Sequence, residues 1–187
     1  GDAVLHFGLP LKTEGIRIER TWRTLGMRAT GSHDVVLEDV FLPEQAVSLR
    51  RPQGAWHPLF HLIVLLALPL IYSVYVGVAE RARELALGLV RKRPGFDALL
   101  QQVGELENAL AKAHIAHADM VRSAMTAAPG METTNRMLAA RTLVAEGVLQ
   151  TASAALETVG GAAFYRSNRL ERLFRDAQAA RYHPLAQ

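Results

Sequence analysis

The chain has 187 residues, room for one ordinary domain or a large domain plus part of another, and long enough to bury a core. Half of it is hydrophobic and 21% charged, which excludes general disorder, and a net charge of +3 is too mild for an electrostatic nucleic-acid binder. The absence of cysteine excludes disulfides, thiolate metal sites and cysteine nucleophiles, and suits a reducing cytoplasm. The opening Gly-Asp-Ala-Val-Leu-His has neither a basic segment nor a long apolar one, so it does not read as a targeting signal.

Up to Val47 the pattern is that of short strands and turns. Strands are expected over Ala3–Phe7, Ile16–Glu19 and His33–Leu37, with turns at Gly8-Leu9-Pro10 and through Gly26 and Gly31. In the third strand Val35 and Leu37 alternate with polar neighbours, so they are expected on the buried face. Three such pieces cannot bury both faces of a sheet. Residues 1–51 therefore read as the end of an incomplete β domain, and residues 52–187 as a helical domain.

A first helix is expected over Leu59–Arg91, kinked or split at Pro69. A second runs from Phe96 to Ala127, with Leu99, Val103, Leu106, Leu110 and Ala113 on one face. Pro129-Gly130 ends it, and Thr133 or Thr134 is placed to cap a third helix over Thr134–Val159. Gly160-Gly161 breaks the chain before a fourth helix over Ser167–Arg181, with Leu170, Leu173, Phe174 and Ala177 facing inward. The fold class is mainly α: an antiparallel four-helix bundle preceded by a partial β domain. The uncharged run from Pro52 to Ala79 is long enough to span a bilayer, but His57, His61, Pro69, Ser73 and Gly77 interrupt it. A buried core helix or an oligomer interface is the preferred reading, with no membrane.

Among candidate chemical groups, His57 and His61 share a helical spacing but lack a carboxylate between them, and His114 and His117 have only Asp119 nearby. No Gly-x-Ser-x-Gly, P-loop or Gly-x-Gly-x-x-Gly motif occurs. The end of the chain is richer. Arg166, Arg169, Arg172, Arg175 and Arg181 face only Glu171 and Asp176, a pattern that forms a solvated face or binds anions. His183 is the histidine with an acid/base setting, because imidazole exchanges protons near neutral pH.

The run Trp22-Arg23-Thr24-Leu25-Gly26-Met27-Arg28-Ala29-Thr30-Gly31-Ser32-His33-Asp34-Val35-Val36-Leu37-Glu38-Asp39-Val40-Phe41-Leu42-Pro43 resembles the close of the middle β domain of the acyl-CoA dehydrogenase superfamily. Glu157-Thr158-Val159-Gly160-Gly161-Ala162-Ala163-Phe164, followed by Glu171-Arg172-Leu173-Phe174-Arg175-Asp176-Ala177, resembles that family's C-terminal bundle, in the same order and spacing. In the family an N-terminal helical domain and the front of the β domain come first. The resemblance implies a flavin, FAD or FMN, held between β domain and bundle, and a homo-oligomer, dimer or tetramer, built through the bundle. It also implies that a neighbouring subunit reaches the cofactor's pyrophosphate or adenosine. Arg91 or Arg93 then lies at the flavin-phosphate position, and Gly160 and Gly161 at the Gly-Gly turn beside the adenosine.

The chain departs from the pattern in three places. Glu157 replaces a glutamine, Ala162-Ala163 replaces Asn-Gly, and Arg181-Tyr182-His183-Pro184-Leu185 stands where dehydrogenases carry a catalytic glutamate. An Arg-Asp pair followed seven residues later by histidine resembles the flavin-dependent monooxygenase branch, and makes His183 the expected catalytic group. Glu80, Glu84 and Glu146 are the carboxylates placed on other helices. The implied function is that of the C-terminal portion of a flavin oxidoreductase acting on a small molecule, an acyl-CoA or an aromatic or cyclic substrate. The alternative is an inactive helical assembly fragment.

Overall fold

The computed structural model describes residues 2–183, which form two compact units: residues 2–24 with 28–57, and residues 25–27 with 58–183. In the first unit β1 (Ala3–Phe7) pairs antiparallel with β4 (Val47–Pro52), from Ala3 opposite Pro52 to Phe7 opposite Val47, with a bulge between His6 and Phe7. β2 (Ile16–Glu19) pairs antiparallel with β3 (Asp34–Leu37), Ile16 opposite Leu37 and Glu19 opposite Asp34. These are two separate two-stranded ribbons, not one sheet. The face expected to be buried on β3 is the open one: Val35 and Leu37 are exposed, whereas Val36 is half-covered. Alternation locates two faces of a strand, but a ribbon with no second layer leaves the apolar face uncovered.

The second unit is built on three long helices: α1 (Leu59–Val90), α2 (Leu100–Thr126) and α3 (Met131–Val159). A short α4 (Leu170–Ala177) follows and leads into a 3-10 turn over Gln178–Arg181. The helix continues through Pro69 without splitting. A proline inside a helix costs about 3 kcal/mol, but Pro69 is itself buried beside Leu65, Leu68 and Tyr72, so packing of the helix outweighs it. The start of α3 also differs from expectation. It begins at Met131, Thr134 is buried within it, and the Thr133 hydroxyl donates backward to the Ala128 carbonyl instead of capping. The helix expected over Ser167–Arg181 is broken into a 3-10 turn at Arg166–Asn168, then α4, then the 3-10 turn. Arg169 adopts a left-handed φ of 61° at the first break.

The apolar series on α2 reads inward as its spacing demands, with Leu106, Leu110 and Ala113 buried. Full burial of a side chain such as Leu106 contributes about 1.5–3 kcal/mol. Two clusters fill the unit. One gathers Leu65, Tyr72, Tyr75, Met120, Met137, Val144, Ala177 and Ala180. The other gathers Ala86, Val90, Leu106, Val159, Ala163 and Leu170 toward the opposite end. α2 and α3 approach closely at Gly147, where an added Cβ would lie 2.7 Å from the Ala113 backbone nitrogen.

α1 is long and apolar enough to cross a bilayer, and one of its faces belongs to the core. On the other, Leu62, Leu66, Leu70 and Val74 recur every fourth residue and stay exposed, with Ile63 beside them. They form a continuous apolar stripe within this chain.

Candidate functional site

His183 is fixed by side chains from two long helices. Tyr72 and Tyr75, three residues apart on the inner face of α1, are both buried. The Tyr72 hydroxyl lies 2.9 Å from the Ala180 carbonyl oxygen and 2.5 Å from that of His183, sharing its proton between them. From α3, Arg141 donates through Nη2 to the Arg181 carbonyl at 3.0 Å and to the His183 carbonyl at 2.9 Å, with Nε at 3.2 Å from the latter. The Tyr75 hydroxyl meets His183 Nδ1 at 3.1 Å, the two rings lying edge to face.

Arg141 is unusual in being buried with backbone carbonyls, not a carboxylate, as its described acceptors. Its guanidinium carbon also stands 5.8 Å from the centre of the Tyr72 ring, within cation–π range. A buried cation raises the local potential and turns carbonyl oxygens toward itself, so the backbone of Arg181 and His183 is held against α3. Burial pushes the Tyr72 phenol above its ordinary range, the Arg141 charge opposing it. Burial, reinforced by Tyr72, pushes Tyr75 up to about 12. Both phenols therefore remain protonated donors at neutral pH. His183 itself is exposed, so a group anchored by its backbone and by Nδ1 still faces solvent. Pro184 and Leu185, the rest of that sequence motif, lie outside the described residues.

The carboxylates considered as alternative bases sit in surface ion pairs. Glu80 meets His114 at 2.9 Å, Glu84 meets Arg81 at 2.6 Å, and Glu146 meets Lys112 at 2.7 Å. The remaining bundle histidines have structural partners. His61 Nδ1 is 2.8 Å from the Thr134 hydroxyl, and His117 Nε2 is 2.9 Å from the Pro69 carbonyl.

The other candidate residues lie toward the far end of the bundle. Arg93 donates to the Val159 carbonyl at 2.9 Å, which places its charge against the C-terminus of α3 and offsets the helix dipole there. Gly160 follows with φ of +69°, a conformation that favours glycine, and nothing lies within 4 Å of a Cβ added at Gly160 or Gly161. Arg91 closes α1 and is exposed, as are Phe164 and Tyr165 after the Gly-Gly turn. Along α1 the rise from Tyr75 to Val90 is about 22 Å at 1.5 Å per residue. The structure thus brings Arg93 to the Gly-Gly turn and keeps both far from His183 within one chain.

Two of the arginines grouped by sequence are engaged by acids on their own helix. Arg175 pairs with Glu171 at 2.8 Å and donates to the Leu25 carbonyl at 2.9 Å, and Arg172 approaches Asp176 at 3.6 Å. Arg181 lines a groove between α2 and α3 with Glu105 and Glu157. The Arg175-Asp176 pair has a further role: the Asp176 carboxylate accepts from the Met27 amide at 2.6 Å. Gly26 packs so tightly there that a Cβ would fall 2.1 Å from the Arg175 carbonyl oxygen. Tyr72, Tyr75 and Arg141 escaped the sequence reading. Arg141 was the detectable one, a lone charge on a stripe that otherwise reads Met137, Ala140, Val144 and Val148.

Three long helices and a short fourth, with a Gly-Gly turn after α3 and an Arg-Asp pair on α4, define the class of domain. The family model for the acyl-CoA dehydrogenase C-terminal domain matches residues 70–187, and the chain belongs to that family. Among curated relatives, YdbM of Bacillus subtilis, grouped by name with the acyl-CoA dehydrogenases, is 33% identical over 91% of this chain and 46% of its own length. The amino sugar nitrososynthase DnmZ of Streptomyces peucetius is 30% identical over 92% of this chain and 45% of its own. Among solved structures, KijD3 in complex with FMN and a dTDP-linked amino keto sugar superposes with a TM-score of 0.83 at 28% identity, covering 96% of this chain and 47% of that one. The chain spans about half the length of the curated relatives it matches.

Proposed function

We propose that this chain is the C-terminal portion of a flavin-dependent oxidoreductase of the monooxygenase-like branch, in which His183 is the proton-transfer group. The observation that carries this is the anchoring of His183 by Tyr72, Tyr75 and Arg141; the sequence resemblance puts the dehydrogenases' carboxylate in this stretch. The glutamates of the other helices, engaged in surface pairs, offer no competing base. The relatives support the same direction, since nitrososynthases and an FMN-bound neighbour stand among them.

The donor set at the far end suits a phosphate-bearing cofactor. An exposed arginine, an open Gly-Gly backbone and exposed aromatic faces allow close approach and stacking, and Arg93 neutralises the carbonyl end of α3. FAD or FMN would supply the redox chemistry, and this chain supplies orientation and proton placement. Arg91, Gly160 and Gly161 would hold the cofactor's anionic or adenosine portion. Their distance from His183 fits a homo-oligomer in which the two ends of one bundle serve different flavins. The exposed stripe Leu62, Leu66, Leu70 and Val74 would supply the interface. The substrate is a small molecule, an aromatic or cyclic compound or an acyl-CoA.

The test is His183→Ala in the whole enzyme carrying this chain. Turnover is expected to fall by about 10²-fold or more, the usual contribution of general acid–base catalysis, with flavin content and oligomeric state unchanged. Unaltered turnover would remove His183 from the chemistry.

A further inference from the structure

Every polar group of His183 but one is accounted for among the described residues. Its amide donates to the Ala179 carbonyl at 3.3 Å, and its carbonyl accepts from Tyr72 and Arg141. Its Nδ1 meets the Tyr75 hydroxyl. Nε2 alone has no partner among the described residues, on a side chain that faces solvent. The reactive nitrogen is therefore Nε2, and its protonation state is set by what happens at Nδ1.

A phenol is a stronger acid than a neutral imidazole N–H, so between the two it is the phenol that donates. Tyr75 is also buried, and although the Arg141 charge opposes the effect, burial and Tyr72 push its phenol up to about 12. We infer that Tyr75 is a positioning residue that donates to Nδ1 of His183 and locks the neutral imidazole in the form protonated at Nε2. His183 thus presents an N–H to the reacting centre. It can donate a hydrogen bond or a proton to oxygen on which negative charge develops. It has no bare nitrogen facing outward with which to remove a proton from carbon. The reaction class this favours places a hydrogen bond or a proton on an oxygen atom, and it disfavours dehydrogenation begun by α-proton abstraction at this residue. Transfer of the Nε2 proton itself balances only if Tyr75 passes its own proton to Nδ1 in the same step, because a lone imidazolate is too basic to form; the Tyr75 phenolate left behind is then reprotonated from solvent. Burial opposes that phenolate, so donation of a hydrogen bond is the main mode of the neutral ring.

The inference rests on His183 being the proton-transfer group, but its test needs neither flavin nor turnover. Long-range proton–nitrogen correlation spectra of the ¹⁵N-labelled chain, taken above the ordinary histidine pKa of about 6.5, report which ring nitrogen is protonated. His183 is identified by its loss in His183→Gln. The expected result is a single form, Nδ1 unprotonated and Nε2 protonated. Tyr75→Phe should move both resonances toward the mixture of free imidazole, because an ordinary hydrogen bond shifts such a ratio by roughly tenfold. Tyr72→Phe, which leaves Nδ1 alone, should retain the wild-type positions. A proton on Nδ1, or resonances unmoved by Tyr75→Phe in a chain with wild-type circular dichroism, would overturn the inference. If the tautomer is as stated but His183→Ala leaves turnover intact, the catalytic reading fails and the tautomer assignment stands.

Discussion

Gly147 offers a sharp test of the packing that carries the site, because two effects of opposite sign compete there. Replacing a helical glycine by alanine stabilises by up to about 1 kcal/mol where space allows. At Gly147 it does not: the new Cβ would lie 2.7 Å from the Ala113 nitrogen, 2.9 Å from the Ala113 Cβ and 3.0 Å from the Ala109 carbonyl. Two of these are backbone atoms on α2, so the helices must separate. Overpacking of this kind costs about 1–3 kcal/mol. After the full propensity gain, Gly147→Ala should be destabilised by up to about 2 kcal/mol, which for a chain of this size lowers Tm by up to about 8 °C. Gly104, exposed on α2 with nothing within 4 Å of its Cβ direction, is the control, and Gly104→Ala should raise Tm by about 1–4 °C. Thermal melts followed by far-UV circular dichroism at one protein concentration measure both. A Gly147→Ala chain as stable as Gly104→Ala would refute the close approach of α2 and α3.

Gly26→Ala should destabilise the helical unit by about 2 kcal/mol or more, since its Cβ would strike the Arg175 backbone at 2.1 Å, and denaturant midpoints will show it. Arg141→Ala leaves the Arg181 and His183 carbonyls without their guanidinium donor, and cleavage by trypsin after Arg181 should accelerate while the long helices remain folded. Hydrogen bonds from Arg136 and Arg122 hold the Asp119 carboxyl down to about 2 from an ordinary value of 3.8. Its contribution is complete above about pH 4 and lost as pH falls through 2. Because both arginines are well exposed it amounts to less than about 1 kcal/mol, and Asp119→Asn should abolish that part of the acid transition. Leu70→Glu, at a residue 72% exposed on the α1 stripe, should reduce the molar mass seen by light scattering without changing helicity; an unchanged mass removes the stripe from the interface.

Much of the fold could be read from the sequence because local patterns decide it. The β1, β2 and β3 segments and the inward face of α2 follow from periodicity, and the Gly160-Gly161 break falls where two glycines end an apolar run. β4 escaped because Val47–Pro52 carries two arginines and a proline, and only its pairing with distant β1 makes it a strand. The threonine cap failed because Gly130 and Met131 already extend α3, which leaves Thr134 for the interior and for His61. The site was half legible. His183 stands out by position, but its partners lie 42 to 111 residues away in sequence, and no local rule joins Tyr72, Tyr75 and Arg141 to it. The arginine cluster, which reads in sequence as a solvated face or an anion site, holds Arg175 and Arg172 in pairs with Glu171 and Asp176, while Arg181 lines a groove between α2 and α3.

The central claim is that this bundle belongs to a flavin enzyme and carries part of the cofactor site. Titrating FMN and FAD with the purified chain, following the quenching of flavin fluorescence and the visible absorbance band, tests it most directly. Saturable binding of one of the two is expected, weakened by Arg91→Ala and unaffected by His183→Ala. A chain that ignores both flavins at every concentration would contradict it, and would leave a helical assembly module in its place.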